Sequence, residues 1–271
     1  MNIKKYKWWL ITLVGLLLLY AVFLFLDAQD KTGNAPVISF DDENIEISVK
    51  DDKSVLLKGV HASDAEDGDL DDEIVVESIS TFDQDKNRIV TYCVFDSDQN
   101  VTKAQRRIHY KDYTKSKFYL TDSFSSSTMN TTAITNMIKA TSCVDGDISG
   151  NVVADISTTS DSNIVNVSVS VKDSTGETSS LELKYTYDLN NYTTDIRLKS
   201  YLVYVKKGQK FNAEKNLSEI DTKSVGKSEA ETYLNIDTSK VNYEQSGVYE
   251  ITYTFNYYGD NGFAKCIVVV E

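Results

Sequence analysis

The sequence predicts an all-β chain of small β-sandwich domains in tandem, preceded by one N-terminal transmembrane helix. Three observations lead there. Apolar residues alternate with period two at Val90, Tyr92 and Val94, at Val165, Val167, Val169 and Val171, and at Tyr249, Ile251, Tyr253 and Phe255. That period marks strands with one buried face. Two landmarks recur at one spacing: Asp67 and Asp145 are 78 residues apart, Asp96 and Asp173 are 77 apart. A 19-residue run, 8–26, carries no charge.

That run, "WWLITLVGLLLLYAVFLFL", would rise roughly the thickness of a hydrocarbon core as a helix, at about 1.5 Å per residue. Trp8 and Trp9 stand where an interfacial aromatic belt would be. Lys4, Lys5 and Lys7 precede it, so the positive-inside rule leaves residues 1–7 as a short cytoplasmic tail and everything past Asp27 outside. A cleaved signal peptide, cut near Ala28, is the competing reading. The run exceeds the usual signal-peptide core of about 7–15 residues and no Ala-X-Ala site follows it.

The three lysines lie before the first acid, so the −13 of the whole chain becomes −16 beyond them. Such a body repels nucleic acid and anionic headgroups, and no nucleic-acid partner is expected. With 41% hydrophobic residues in ordered patterns, the body is not a disordered tail. One proline and 17 tyrosines suit a strand-rich protein.

After a tether at 27–35, "LLKGVHASDAEDGDLDDEIVV" (56–76) has a counterpart in "NMIKATSCVDGDISGNVVA" (136–154), and "RIVTYCVFDSDQN" (88–100) in "NVSVSVKDSTGE" (166–177). Self-similarity at one period means two copies of one unit. A degenerate third copy opens with "YLVYVKKGQKF" (201–211) as a strand and turn and closes with a hairpin over 247–270. There "YGDNGF" supplies the glycines and Asn that tolerate positive φ. The polar joints 111–117 and 188–194 divide the body at 36–113, 114–190 and 191–271. Units of about 80 residues without an amphipathic helix fit small antiparallel sandwiches with modest shared interfaces. Residues 131–140 read as a strand entering the second turn, with a short helix as the alternative.

The motif of "GVHASDAEDGDL" followed by "VTYCVFDSDQN", and more weakly "KATSCVDGDI" followed by "VSVKDSTGE", resembles the bacterial immunoglobulin-like repeats of surface and secreted proteins, the HYR-like and Cry22-like modules common in Gram-positive bacteria. The third copy keeps only its last hairpin. The resemblance covers roughly 36–271 and implies three tandem immunoglobulin-like β-sandwich domains. It says little of function, because such repeats serve as stalks, spacers and binding modules alike.

The acidic stretch "DAEDGDLDDEI" (64–74) raises the question of calcium. An EF-hand loop needs Gly at its sixth position and Glu at its twelfth. With Gly68 at six, Ser63 falls at one, Ala65 at three and Ile74 at twelve, so the pattern fails. In the second copy Asp64 is matched by Ser142, Glu66 by Val144 and, in this reading, Asp71 by Gly150. Only Asp145-Gly146-Asp147 and an aliphatic residue persist, which is turn chemistry: Asp bonds its own backbone, Gly takes positive φ, and Leu70 or Ile148 returns to the core. An irregular calcium site at 64–73 stays open.

Enzymatic constellations are scarce, and no catalytic residue, metal ligand or cofactor is assigned. His61 reads as a solvated strand histidine and His109 lies near a strand end; neither has a nucleophile partner at a known spacing. Cys93, Cys143 and Cys266 are too few for a disulfide scaffold, and a Cys93–Cys143 bridge is the alternative to three thiols. Arg106, Arg107, Lys111, Lys115 and Lys117 read as a basic patch solvating an edge strand. The expected role is that of a non-catalytic, single-pass surface protein that binds an extracellular protein or wall polymer. The alternative is a carbohydrate-binding accessory of a surface enzyme system, with Tyr253, Tyr257 and Tyr258 as candidate platforms, of which Tyr253 alternates with core positions and reads as buried.

Overall fold

A computed structural model describes residues 3–29, 33–127, 130–161, 163–188 and 190–271. The chain divides into two compact units, residues 1–112 and 113–271.

The first unit opens with a 27-residue helix, Ile3–Gln29. Its described side chains, at 9 and 12–24, are all exposed, a ridge of leucines among them. Among the described residues no helix is long and apolar enough to cross a membrane. The span expected over 8–26 falls partly on side chains outside the described residues.

The remainder of this unit is a sandwich. Strand Val37–Phe40 pairs antiparallel with Val60–Asp64, on whose end the short Gly68–Asp69 folds back antiparallel. The facing sheet orders Asn44–Ile47, Val101–Tyr110, Asn87–Phe95 and Val75–Ile79. Its core holds Leu56, Val60, Ala62, Ile74, Val90, Tyr92, Val94 and Ile108. The alternating positions read from the sequence are the inward ones: Val90, Tyr92 and Val94 are fully buried.

The second unit repeats this strand path twice. Lys117–Leu120 pairs with Ile138–Ser142, on whose end the short Gly146–Asp147 folds back antiparallel, against a sheet of Val153–Thr158, Ile164–Lys172, Thr178–Tyr187 and Ser125–Ser126. Then Asp195–Leu198 pairs with Leu217–Asp221, against Leu202–Val205, Asp260–Val270, Gly247–Tyr257 and Leu234–Asp237.

All three passages share a device not foreseen in the sequence. The opening segment starts antiparallel in one sheet, then crosses over and lies parallel to the last strand of the other. Asn44–Ile47 does so on Val101–Tyr110, Ser125–Ser126 on Thr178–Tyr187, and Leu202–Val205 on Asp260–Val270. The sandwiches are therefore mixed rather than purely antiparallel. The third passage opens at Asp195, before the expected 201–211, which holds only its second half.

Residues 131–140 are not one strand. Asn130 Oδ1 accepts from the Ala133 N–H at 3.1 Å and caps a helix, Thr131–Met137, before the strand begins at Ile138. The final hairpin turns within the expected 258–263, at the first two residues of that stretch. Tyr257 pairs with Asp260, leaving Tyr258 (φ 43°) and Gly259 (φ 98°) as a two-residue loop with both φ positive, the pattern of a type I′ turn. Asn261-Gly262 instead lies inside the strand. A Cβ on Gly262 would stand 2.8 Å from the Thr194 carbonyl oxygen, so Gly is needed there for close approach.

The second unit has two cores that share one wall. Along Asp260–Val270, Ala264, Cys266, Val268 and Val270 join the core of the third passage, while Ile267 and Val269 join that of the second. A strand buried on both faces is an unbroken apolar run, as "CIVVV" is. The expected joint at 188–194 thus lies inside one compact unit.

Candidate functional site

The acidic stretch folds as a turn built in the same way in both copies. Asp64 Oδ1 accepts from the N–H groups of Glu66 (2.8 Å) and Asp67 (3.1 Å). In the second copy Ser142 Oγ accepts from Val144 (3.1 Å) and Asp145 (3.2 Å). Gly68 and Gly146 follow at φ 78° and 73°, in the left-handed region that glycine enters without strain. Asp69 Oδ1 then accepts from the Asp71 N–H, and Asp147 Oδ1 from that of Ser149. The Leu70 and Ile148 N–H groups close the turn on the carbonyls of Ala62 and Ala140.

The residue after the aliphatic one reaches back to the strand. Asp71 Oδ1 accepts from the Ala62 N–H at 2.7 Å, and Ser149 Oγ from that of Ala140 at 3.2 Å. Asp71 is therefore matched by Ser149, not by Gly150 as the sequence alignment had it.

The first aspartate of each Asp-Gly-Asp reaches the facing sheet. Asp67 accepts from Ser97 N–H (2.7 Å) and Oγ (2.8 Å); Asp145 accepts from Ser174 N–H (2.8 Å). Ser97 and Ser174 occupy equivalent places in two hairpin loops, held by Asp96 and Asp173. The 78- and 77-residue spacings thus record one contact made twice, a staple between turn and loop.

These bonds set the electrostatics. The N–H groups of Glu66 and Asp67 hold Asp64 below the usual carboxylate range. The Ala62 N–H, then His61, does the same to Asp71, and the Ser149 hydroxyl and N–H to Asp147. Within the first turn, Asp64 Oδ2 is enclosed without a hydrogen-bond partner. Among the described residues, no three His, Cys, Asp or Glu side chains converge as metal ligands.

His61 is half-exposed but paired, with Nδ1 2.8 Å from Asp71 Oδ2 and Nε2 3.5 Å from Asp41 Oδ1. The hydrogen bond to Asp71, then its charge, raises the imidazole above its ordinary value. His109 Nδ1 is 3.2 Å from Asn87 Oδ1. All three cysteines are free thiols, and burial pushes that of Cys266 up to about 12.

The basic patch is broken by its own periodicity. Arg106 is 3% exposed, on the inward face with Ile108. Its guanidinium donates to the carbonyls of Asp42 and Lys58, both at 2.7 Å, beside the Phe40 ring. It ties the opening segment to the sandwich rather than solvating an edge.

Lys265, missed in the sequence, faces the second core from the shared strand and is fully buried. Its ammonium donates to the Lys184 carbonyl (2.9 Å), Thr186 Oγ1 (2.8 Å) and Glu250 Oε1 (3.0 Å). All three donors are satisfied. Nearby, the Phe118 N–H donates to the Tyr204 hydroxyl at 3.0 Å, and Lys117 lies over that ring and 3.2 Å from Glu271. These contacts bind the second and third passages together.

Tyr253 is buried, its hydroxyl donating to the Ala213 carbonyl, so it is no platform. Tyr257 and Tyr258 stand at the tip of the last hairpin with Tyr233.

No family model matches the chain, and no curated protein does. Among solved structures, the CBM51-2 and INT domains of Clostridium perfringens ZmpB, in complex with GlcNAc, are 17% identical over 54% of this chain and 26% of that one, with a TM-score of 0.24. The M60 catalytic domain with CBM51-1 and CBM51-2 of the same protein is 12% identical over 87% and 30%, also at 0.24. The protocadherin GammaB4 extracellular domain is 13% identical over 88% and 49%, at 0.19. The chain spans half or less of the length of each. Likeness at this level carries no assignment.

Proposed function

We propose that the chain is a single-pass surface protein in which three tandem immunoglobulin-like domains, 36–113, 114–190 and 191–271, are held outside a bacterial membrane to bind an extracellular partner without catalysis. The observation that carries this reading is the strand path made three times, with its opening segment split between two sheets. The path is a scaffold of the kind that serves stalks and binding modules. The uncharged run at 8–26, preceded by lysines and followed by a body of net −16, supports anchoring with the body outside. The double-faced strand and buried Lys265 support a stiff distal pair that would present its loops at a fixed angle.

Alkaline carbonate extraction of membranes from a bacterial host expressing the full chain tests the anchor. The intact chain stays with the membrane pellet, and a Leu16→Arg, Leu18→Arg variant leaves it. Release of the intact chain refutes anchoring.

A further inference from the structure

The turn at Tyr258 presents a combination that folding alone does not favour. A type I′ turn takes Asn or Asp at its first position, because both central residues have positive φ. A bulky aromatic there is a backbone outlier, and such outliers concentrate at functional positions. Tyr258 occupies this place at φ 43° with its side chain 95% exposed. It therefore gains almost no burial in return.

The ring is not isolated. Tyr257 lies edge-on to it, centroids 4.7 Å apart, and Tyr233, 40% exposed, packs on Tyr257 at 4.4 Å. Together they offer an aromatic surface of roughly 300 Å², given the size of such side chains. A specific protein interface needs about 800 Å² per partner. The tip suits something smaller: one or two rings with a flat apolar face. Charge narrows the choice further. Glu229 is near enough to help hold the Tyr233 hydroxyl above its ordinary value, after burial and Tyr257, and the body carries a net charge of −16. An anionic polymer would be repelled.

We infer that Tyr233, Tyr257 and Tyr258 form a glycan-binding tip that stacks on the flat face of uncharged, β-1,4-linked pyranose units. This rests on the extracellular placement proposed above for its biological setting, but not for its test. Pyranose C–H groups lie over the rings, while the tyrosine hydroxyls and Glu229 meet the sugar hydroxyls at the rim. With no enclosing walls, the tip engages a unit within a chain as readily as a chain end.

The test uses the full chain in detergent micelles, titrated calorimetrically with cellohexaose and with chitohexaose. Binding to either supports the inference if Tyr258→Ala weakens it tenfold or more and Tyr258→Phe restores most of it. Tyr258→Asn gives a second readout: the Asn-Gly turn relieves the backbone, so Tm rises while binding is lost. Absence of binding to both sugars at millimolar concentration overturns the inference, as does binding indifferent to Tyr258→Ala and Tyr233→Ala. Neither outcome bears on the anchor, which carbonate extraction tests separately.

Discussion

Replacing Lys265 by Met removes a charge from a fully enclosed polar site in the second unit. The ammonium is 0% exposed and makes three hydrogen bonds, two of them to the second passage and one to Glu250, whose side chain is 28% exposed. Losing one member of a fully buried pair costs about 3–5 kcal/mol. Glu250 keeps some solvent, which reduces that cost. The Lys184 carbonyl and Thr186 hydroxyl lose a charged donor, at about 1–3 kcal/mol. We therefore expect K265M to lose about 2–4 kcal/mol. E250Q alone should lose less, because the ammonium keeps its other two acceptors. The double variant K265M/E250M should recover at least about 1 kcal/mol relative to the sum of K265M and E250M, since an apolar pair carries no stranded charge.

Urea unfolding of the full chain in detergent, followed by the sheet signal in circular dichroism, measures all of these. The pH dependence gives a further sign. Burial, opposed by Glu250, holds the Lys265 ammonium below its ordinary value of 10.5. The unfolded state then binds more protons in the window up to 10.5, so this group's contribution to stability rises with pH there. K265M removes that rise. Stability of K265M within about 0.5 kcal/mol of the parent, the range of ordinary surface substitutions, would refute the reasoning.

Glycine substitutions separate backbone cost from close approach. Gly68→Ala and Gly146→Ala meet no atom within 4 Å and should each cost about 1 kcal/mol through positive φ alone, whereas Gly262→Ala, driven against the Thr194 carbonyl, should cost more; thermal melts rank them. Asp67→Ala removes two hydrogen bonds to Ser97 and Asp145→Ala one to Ser174, so D67A should lose about 1–1.5 kcal/mol and D145A about half of that by urea unfolding. At high pH, burial pushes Tyr113, Tyr192 and Tyr253 up to about 12. Their unfolded forms ionise near 10, so their contribution is whole below pH 10 and is lost as pH rises towards 12. Melts against pH, with tyrosinate absorbance as the second probe, should show ionisation and unfolding together.

What the sequence revealed was local. The Asp-Gly-Asp turns and alternating strands were legible because turn chemistry and the period of two depend on neighbours along the chain. The parallel pairing of Asn44–Ile47 with Val101–Tyr110 joins segments some 60 residues apart and leaves no periodic trace. Arg106 and Lys265 were misread or missed because charge suggests surface, yet both occupy inward positions of their own strands' alternation. "CIVVV" carried its message in plain view: an apolar run without alternation is a strand covered on both faces. The hairpin turn was legible within 258–263, but only the approach of Thr194 explains why Gly262 lies in the strand beyond it. Of the tyrosines proposed as platforms, alternation already set aside Tyr253, which is buried. The partner Tyr233 ends a 3-10 turn, Glu231–Tyr233, just before the strand that pairs with Gly247–Tyr257.

Limited proteolysis of intact cells expressing the full chain tests the central claim most directly. If the body stands outside the membrane, added protease removes it from living cells, leaving only an N-terminal fragment carrying the 8–26 run in the membrane fraction. A body that survives intact until the cells are lysed, and is then digested, contradicts the account.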